Sequence, residues 1–292
     1  MNNIHNQLSH RGKEPEEGVL YVVGTPIGNL NDISERAQHI LNNVSFVACE
    51  DTRVTSKLLN SFRISNKLFS FYKNNSYFKS TYIISELKKG NSVALVSDAG
   101  LPLISDPGEI LVKEAKESNI DVICIPGPCA ALTALVCSGL MNSGFIFYGF
   151  IPKKTNERSK ILQEINDNKF ASIIYESPKR VEKLLSDFKK ISDGDRKVFL
   201  AKELTKKHEQ HLGGTLDYVI ENLQNIQTKG EFTLIIGGNF KENNKDNYDH
   251  NSIRTDLLNL IKAGLSHSSA ANYLSKKLKK PKKEIYSLIL KK

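Results

Sequence analysis

The run Ser92-Val93-Ala94-Leu95-Val96 is uninterrupted, apolar and rich in β-branched residues, the pattern of a strand buried on both faces. It empties into Ser97-Asp98-Ala99-Gly100-Leu101-Pro102-Leu103-Ile104-Ser105-Asp106-Pro107-Gly108, twelve residues that hold two Gly, two Pro and two Asp. A plain connection between a strand and a helix needs far less punctuation. Asp106 is a natural N-cap and proline is favoured in a first helical turn, so the spacing predicts a helix opening at Pro107. Strand, elaborate turn and helix restrict the chain to an α/β arrangement. In open α/β sheets, ligands sit at the carboxyl ends of strands, where this loop falls.

Two more turns share that placement. Val19 to Val23 reads as a buried first strand and runs into Gly24-Thr25-Pro26-Ile27-Gly28-Asn29-Leu30-Asn31-Asp32, after which Ile33, Ala37, Ile40 and Leu41 have helical spacing. Gly24 and Gly28 do not fit the dinucleotide fingerprint, and Asn29 stands where a phosphate-binding loop needs lysine. A small molecule held by backbone groups suits this turn better than a phosphate. The third turn, Ile125-Pro126-Gly127-Pro128, follows the strand-like Val122-Ile123-Cys124 and leads into Cys129 to Cys137. That segment is small-residue rich and apolar almost all round, which predicts a buried helix packed beneath a cleft. Three such turns in succession predict one ligand site.

The 292 residues exceed the size at which a single core usually keeps growing, so two domains are expected. Strands are predicted at 19–23, 45–49, 68–70, 92–96 and 121–125 with helices between them, an alternation that implies a largely parallel sheet. Phe145 to Ile151 restarts the pattern, with further strands at 171–175, 197–201 and 232–236 and helices at 156–167, 178–190 and 215–223. The expected organisation is a disordered leader over 1–17, an N-terminal α/β domain over 18–127, a C-terminal α/β domain over 128–238, a polar Asn-rich linker over 239–251 and a helical extension over 252–292. Helices at 252–263, 267–279 and 282–290 fit a helix-turn-helix unit and a plain three-helix tail equally well.

Net charge is +9, and residues 251–292 contribute ten Lys or Arg against two Asp or Glu. A basic appendage on a nearly neutral body points to a polyanionic partner, nucleic acid ahead of an anionic membrane; a solvated lysine-rich surface is the plainer reading. No apolar run approaches a membrane span, and the first residues lack a secretory apolar core. Cys49, Cys124, Cys129 and Cys137 lie in apolar contexts without C-x-x-C spacing, which predicts reduced core thiols in a cytoplasmic protein and no metal site.

Polar residues that core packing leaves unexplained follow two strands. Glu50, Asp51 and Arg53 end the second, and Lys202 and Glu203 end a strand of the second half. These five are the candidate catalytic groups. Asp51 equally fits as the N-cap of a helix over 52–61, and Lys202 with Glu203 as a surface ion pair. His208-Glu209-Gln210-His211 lacks the spacing of a metal motif.

Leu20 to Leu30, Cys49 to Arg53, Ser97 to Pro102 with Asp106-Pro107-Gly108, and Ile125 to Pro128 together resemble the bacterial 16S ribosomal RNA 2′-O-cytidine methyltransferases, a branch of the tetrapyrrole methylase-like superfamily. The resemblance continues through Tyr175-Glu176-Ser177-Pro178, Glu203 to Lys206 and Gly230-Glu231-Phe232, and so spans residues 18 to 238. It implies two α/β domains of the tetrapyrrole methylase type with a cofactor cleft between them, a homodimer, and S-adenosyl-L-methionine as cofactor. By position, Gly24, Thr25, Pro26, Asp98, Ala99 and Gly100 are expected at its methionine end, Ile104, Ala130 and Ala131 along its middle, and Phe150, Tyr175 and Ala201 at its adenine side. The implied reaction is 2′-O-methylation of a cytidine ribose, cytidine 1402, in 16S rRNA of the small ribosomal subunit. A tetrapyrrole methyltransferase and a non-catalytic RNA-binding factor of the same fold are the alternatives. The first turn is poorer in glycine than that of the porphyrinogen branch, which favours RNA.

Overall fold

The structure is a computed structural model that describes residues 13–72, 76–226, 229–239, 250–278 and 280–290. Two five-stranded sheets occupy a compact unit that ends at Gly238. The first holds β1 (Leu20–Val23), β2 (Phe46–Cys49), β3 (Leu68–Ser70), β4 (Val93–Val96) and β5 (Val122–Ile125). Its order is β3-β2-β4-β1-β5 and every pairing is parallel. Parallel strands need crossover helices, and these cover both faces. They are α1 (Glu35–Asn43), α2 (Thr52–Ser61), α3 (Ser76–Lys88) and α4 (Glu109–Glu117). Alternate residues of β1 divide between two apolar clusters: Tyr21 and Val23 join Ile40 and Leu41 of α1, while Leu20 joins Ile83 and Leu87 of α3. Helix α1 starts two residues later than the apolar spacing predicts. The Ser34 hydroxyl accepts from Ala37 N–H and so fixes the cap there.

The second sheet holds β6 (Phe145–Phe150), β7 (Ala171–Glu176), β8 (Lys197–Lys202), β9 (Gln210–Thr215) and β10 (Phe232–Ile236), in the order β6-β7-β10-β8-β9. Here β6 pairs parallel to β7, and the other pairings are antiparallel. β10 runs against both neighbours, so β7 and β8 end at the same edge. Phe232 lies opposite Glu176 on one side and Lys202 on the other. One face is packed by α6 (Thr155–Asp167), α7 (Pro178–Lys189) and α8 (Leu216–Asn222). The other face meets α5 (Ala130–Ser138) through Ala131, Ala134 and Leu135. The α/β class expected from the sequence is what the chain adopts.

Several expectations need correction. The helix predicted from Pro107 begins at Glu109 with Gly108 as its N-cap at φ 138°, and Asp106 turns its carboxylate to the Ser97 hydroxyl instead of capping. Helix α5 is not buried all round: Leu132 and Val136 are exposed. Nor are the cysteines uniformly core residues. Cys49 is buried, Cys129 half-buried, and Cys124 and Cys137 exposed, because β5 is a sheet edge and α5 buries only one face. The strand β9 escaped prediction, since an edge strand with two glycines carries little apolar signal.

Residues 1–12 of the expected leader and 240–249 of the expected linker lie outside the described residues. Of the rest of the leader, Glu14 pairs with Arg36 and Glu16 N–H donates to the Tyr21 hydroxyl. The C-terminal unit holds α9 (His250–Lys262), α10 (His267–Leu278) and α11 (Lys282–Leu290) around its own apolar cluster, which includes Ile253, Leu257, Leu274, Leu278, Ile285 and Leu288. Among the described residues no helix is long and apolar enough to cross a membrane.

Candidate active site

A cavity of about 440 Å³ opens between the two sheets. The loop after β4 supplies Asp98 to Leu101 and Ile104 to Asp106, β2 supplies Glu50 at its carboxyl end, and the entry to α5 supplies Cys129 and Ala130. From the second sheet come Phe150, Tyr175, Glu176-Ser177-Pro178 and Gly230 to Thr233.

The first turn lies beneath this loop and fixes it. Thr25 and Gly100 exchange backbone hydrogen bonds of 2.9 and 3.1 Å, and the buried Thr25 hydroxyl reaches the carbonyls of Ser97 and Gly100. Gly24 rests against Gly127 so closely that a Cβ on Gly24 would stand 2.7 Å from the Gly127 Cα. The obstruction is backbone on both sides, so neither turn can yield cheaply. Gly24→Ala is therefore expected to cost a few kcal/mol, a fall in Tm of roughly 5–10 °C by thermal denaturation. An unchanged Tm would show that the two turns are free to separate.

Negative charge gathers on the first-domain wall. Burial raises the carboxyl pKa of Glu50, and the nearby Asp98, Asp106 and Asp51 raise it further. Burial likewise raises Asp98 and Asp106. Asp98 also accepts the Asp51 N–H at 3.1 Å, which ties the ends of β2 and β4 together. Asp51 itself differs. Its carboxylate is held down at about 2 by the Arg53 side chain and N–H, as the N-cap of α2. The opposite wall is aromatic. Tyr175 packs edge-on to Phe147 at 5.1 Å and to Phe150 at 5.7 Å, its hydroxyl accepts Ala131 N–H at 3.1 Å, and burial pushes its phenol up. Carboxylates facing an aromatic wall suit a ligand with a cationic end and a flat apolar end.

Of the residues expected at the cofactor, Asp98, Ala99, Gly100, Ile104, Ala130, Phe150 and Tyr175 line the cavity. Gly24, Thr25 and Pro26 do not line it, Thr25 instead bonding the loop that does, and Ala131 and Ala201 are buried without lining it. Of the five catalytic candidates, only Glu50 lines it. Arg53 points outward, its side chain 86% exposed. Lys202 is buried on the sheet face opposite Tyr175 and donates to the Gln210 side chain. Glu203 sits in a turn at φ 53°, where it accepts from Glu231 N–H and Lys206. Burial would raise its pKa, but Lys206 and the Glu231 N–H outweigh it and hold the carboxyl below the usual range. Asp106, expected only as a helix cap, and Glu176, Glu231 and Thr233 are lining residues not expected at the site. Three of them stand in motifs already quoted: Glu176 ends β7 and Glu231 precedes β10, so strand-end position was their signal, while Asp106 lies late in the loop between β4 and α4.

Residues 19–219 match the family of tetrapyrrole (corrin/porphyrin) methylases. Solved structures agree in fold: cobalt precorrin-4 methyltransferase superposes with a TM-score of 0.56 at 15% identity, over 75% of this chain and 95% of that one. Uroporphyrin-III C-methyltransferase from Thermus thermophilus gives 0.54, also at 15% identity, over 75% of this chain and 94% of that one. The chain belongs to the tetrapyrrole methylase family. Within it, the similarity is to ribosomal RNA small subunit methyltransferase I. The Synechocystis protein of that name is 40% identical over 94% of this chain and 98% of its own. The Bacillus subtilis protein is 37% identical over 97% of each.

Proposed function

We propose that this protein transfers a methyl group from S-adenosyl-L-methionine to 16S rRNA of the small ribosomal subunit, at the ribose 2′-oxygen of a cytidine. The observation that carries the cofactor is the cavity itself, with carboxylates raised by burial and mutual repulsion on one wall and Tyr175 and Phe150 on the other. Those residues fit a cofactor that joins an ammonium and a sulfonium to an adenine. Asp98 and the backbone of Ala99 and Gly100 would hold the amino-acid end, with Ile104 and Ala130 along the middle and the aromatic wall against the base. When bound, the cofactor supplies a methyl group open to in-line displacement.

Positioning supplies most of the rate in such a displacement, and a rigid floor of paired turns serves it. The acceptor hydroxyl has a proton to lose, and Glu50 is the cavity carboxylate among the strand-end candidates. The names of the curated relatives, at 37–40% identity over nearly whole chains, favour an RNA acceptor over a tetrapyrrole. The test is mass mapping of 16S rRNA from cells lacking this gene, before and after purified protein and cofactor act on their small subunits. A cytidine that gains a 2′-O-methyl group is expected; methylation of a porphyrinogen with no mark on rRNA would overturn the reading.

The basic C-terminal helices fit the RNA side of this function. Lys276, Lys277, Lys282 and Lys283 are exposed, and the unit has a core of its own. Removing residues 239–292 is expected to leave cofactor affinity within about twofold, since the cavity lies wholly before Gly238. It should weaken rRNA binding and flatten its salt dependence, because fewer counterions are released. An unchanged salt slope would make those lysines a solvated surface.

A homodimer completes the proposal. Leu132, Val136, Met141 and Phe145 are exposed on α5 and at the entry to β6, with Val136 at 77%. Large apolar residues left exposed on a helix and on an edge strand are the composition of a self-association face. Val136→Glu is expected to convert a dimer to monomer in sedimentation velocity; an unaffected dimer would move the interface elsewhere.

A further inference from the structure

We infer that the outer edge of the first sheet carries a stacking platform for single-stranded RNA, built from Tyr72, Phe78 and Tyr82 around Lys79. The inference rests on the RNA substrate proposed above and adds where the strand lies before it enters the cavity. Phe78 and Tyr82 are one turn apart on α3 and so share a face. Phe78 is 82% exposed, and Tyr72 and Tyr82 are each more than two-fifths exposed. Tyr82 stacks on Phe69 of β3, with ring centroids 5.1 Å apart and 25° between planes. The Lys79 ammonium sits 5.0 Å from the Phe69 ring and 5.8 Å from the Tyr72 ring, while donating to the Ser70 carbonyl. The cation is thus held beside the partly exposed Tyr72 ring, with the exposed Phe78 next to Lys79 in the chain on α3.

Aromatic rings interleaved with a cation match unstacked nucleotides: the rings take base faces and the ammonium takes a phosphate. Continuity with the cavity supports the same occupant. Cys49 pairs with Ser70, and Phe71 N–H donates to the Cys49 carbonyl at 2.7 Å. Tyr72 therefore leaves β3 beside the point where Glu50, a cavity-lining residue, leaves β2. A strand laid on this edge reaches the cavity across one strand spacing, about 5 Å. Sequence-specific RNA recognition works through such splayed bases.

The test uses the full-length protein, a labelled single-stranded RNA of mixed sequence and a duplex of the same length, read by fluorescence anisotropy. Tyr72→Ala with Phe78→Ala should weaken single-strand binding about tenfold or more and leave the duplex unaffected. Phe78→Trp should retain wild-type affinity, because a larger ring still stacks. Phe78→Ala alone removes a mostly exposed side chain, so it gives a folded test if the double variant is unstable. Unchanged single-strand affinity, an equal loss on duplex, or a shift in oligomeric state would each overturn the platform. A wild type that neither binds RNA nor methylates it would instead overturn the underlying function.

Discussion

Asp98→Ala is expected to weaken binding of S-adenosyl-L-methionine, or of its demethylated product, by about 10- to 100-fold in calorimetry. A hydrogen bond to a charged group is worth roughly 1.5–3 kcal/mol, and Asp98 stands on a wall where burial already disfavours its charge. A bound cation relieves that penalty. Asp51→Ala serves as the contrast: its carboxylate is committed to Arg53 and to capping α2, so affinity should change less than threefold. Equal losses from the two variants would remove Asp98 from the ligand site. The linkage has a definite sign. A carboxyl whose folded pKa is raised adds stability below its unfolded value of about 4, and that stability is lost as pH rises through the folded value. At neutral pH the ligand-free protein thus bears a cost from Glu50, Asp98 and Asp106 together. Asp98→Asn keeps an acceptor for the Asp51 N–H while removing the charge. It should raise the ligand-free Tm by roughly 1–3 °C even as it weakens binding.

The strands were legible because the first sheet is buried on both faces. Short continuous runs such as Ala94-Leu95-Val96, bounded by turn residues and rich in β-branched neighbours, favour strand over helix, and the boundaries of the strands that were expected fell within one residue. Signals failed where tertiary contacts override local chemistry. Asp106-Pro107 is a strong helix-start signal. Yet Gly108, pressed within 3.0 Å of where a Cβ would meet Leu95 and Leu103, takes the positive φ that begins α4 two residues later. Likewise α5 is apolar on both sides, which reads as burial, but only its Ala131, Ala134 and Leu135 face meets the second sheet.

The site was legible to the level of strand ends and no further. Composition cannot say which residues at a strand end reach the cavity: the successive residues Tyr175 and Glu176, and Phe232 and Thr233, all line it, whereas Lys202, paired with Phe232, is buried and spends its ammonium on Gln210. The antiparallel β10 brings Glu231, Phe232 and Thr233 to the same edge from a distant part of the chain. Nothing in local spacing announces that return. The glycine-rich first turn drew attention for a sound reason, close backbone approach, but what approaches Gly24 is Gly127.

Glu50→Gln is expected to lower methylation of 16S rRNA by about 10²–10⁴-fold at saturating cofactor, the range for a true general base. Cofactor affinity should move far less, since the amide preserves shape. The reasoning starts from the ribose hydroxyl, whose oxygen gains charge as its proton leaves. A base with an ordinary carboxyl pKa is a weak acceptor for that proton. Glu50 is displaced in the useful direction, upward, by burial and by Asp98, Asp106 and Asp51. It must be ionised to act, so the rate should fall as pH drops through its raised pKa. Asp106→Asn removes one of the neighbouring negative charges and should move that acid limb to lower pH, with kcat read at saturating cofactor. Glu50→Gln turnover within threefold of wild type would exclude Glu50 as the base. An acid limb unmoved by Asp106→Asn would assign the titration to another group. Lys202→Ala supplies the contrast on the opposite sheet. Its ammonium is turned away from the cavity wall towards Gln210, so its loss is expected to appear in Tm before it appears in turnover.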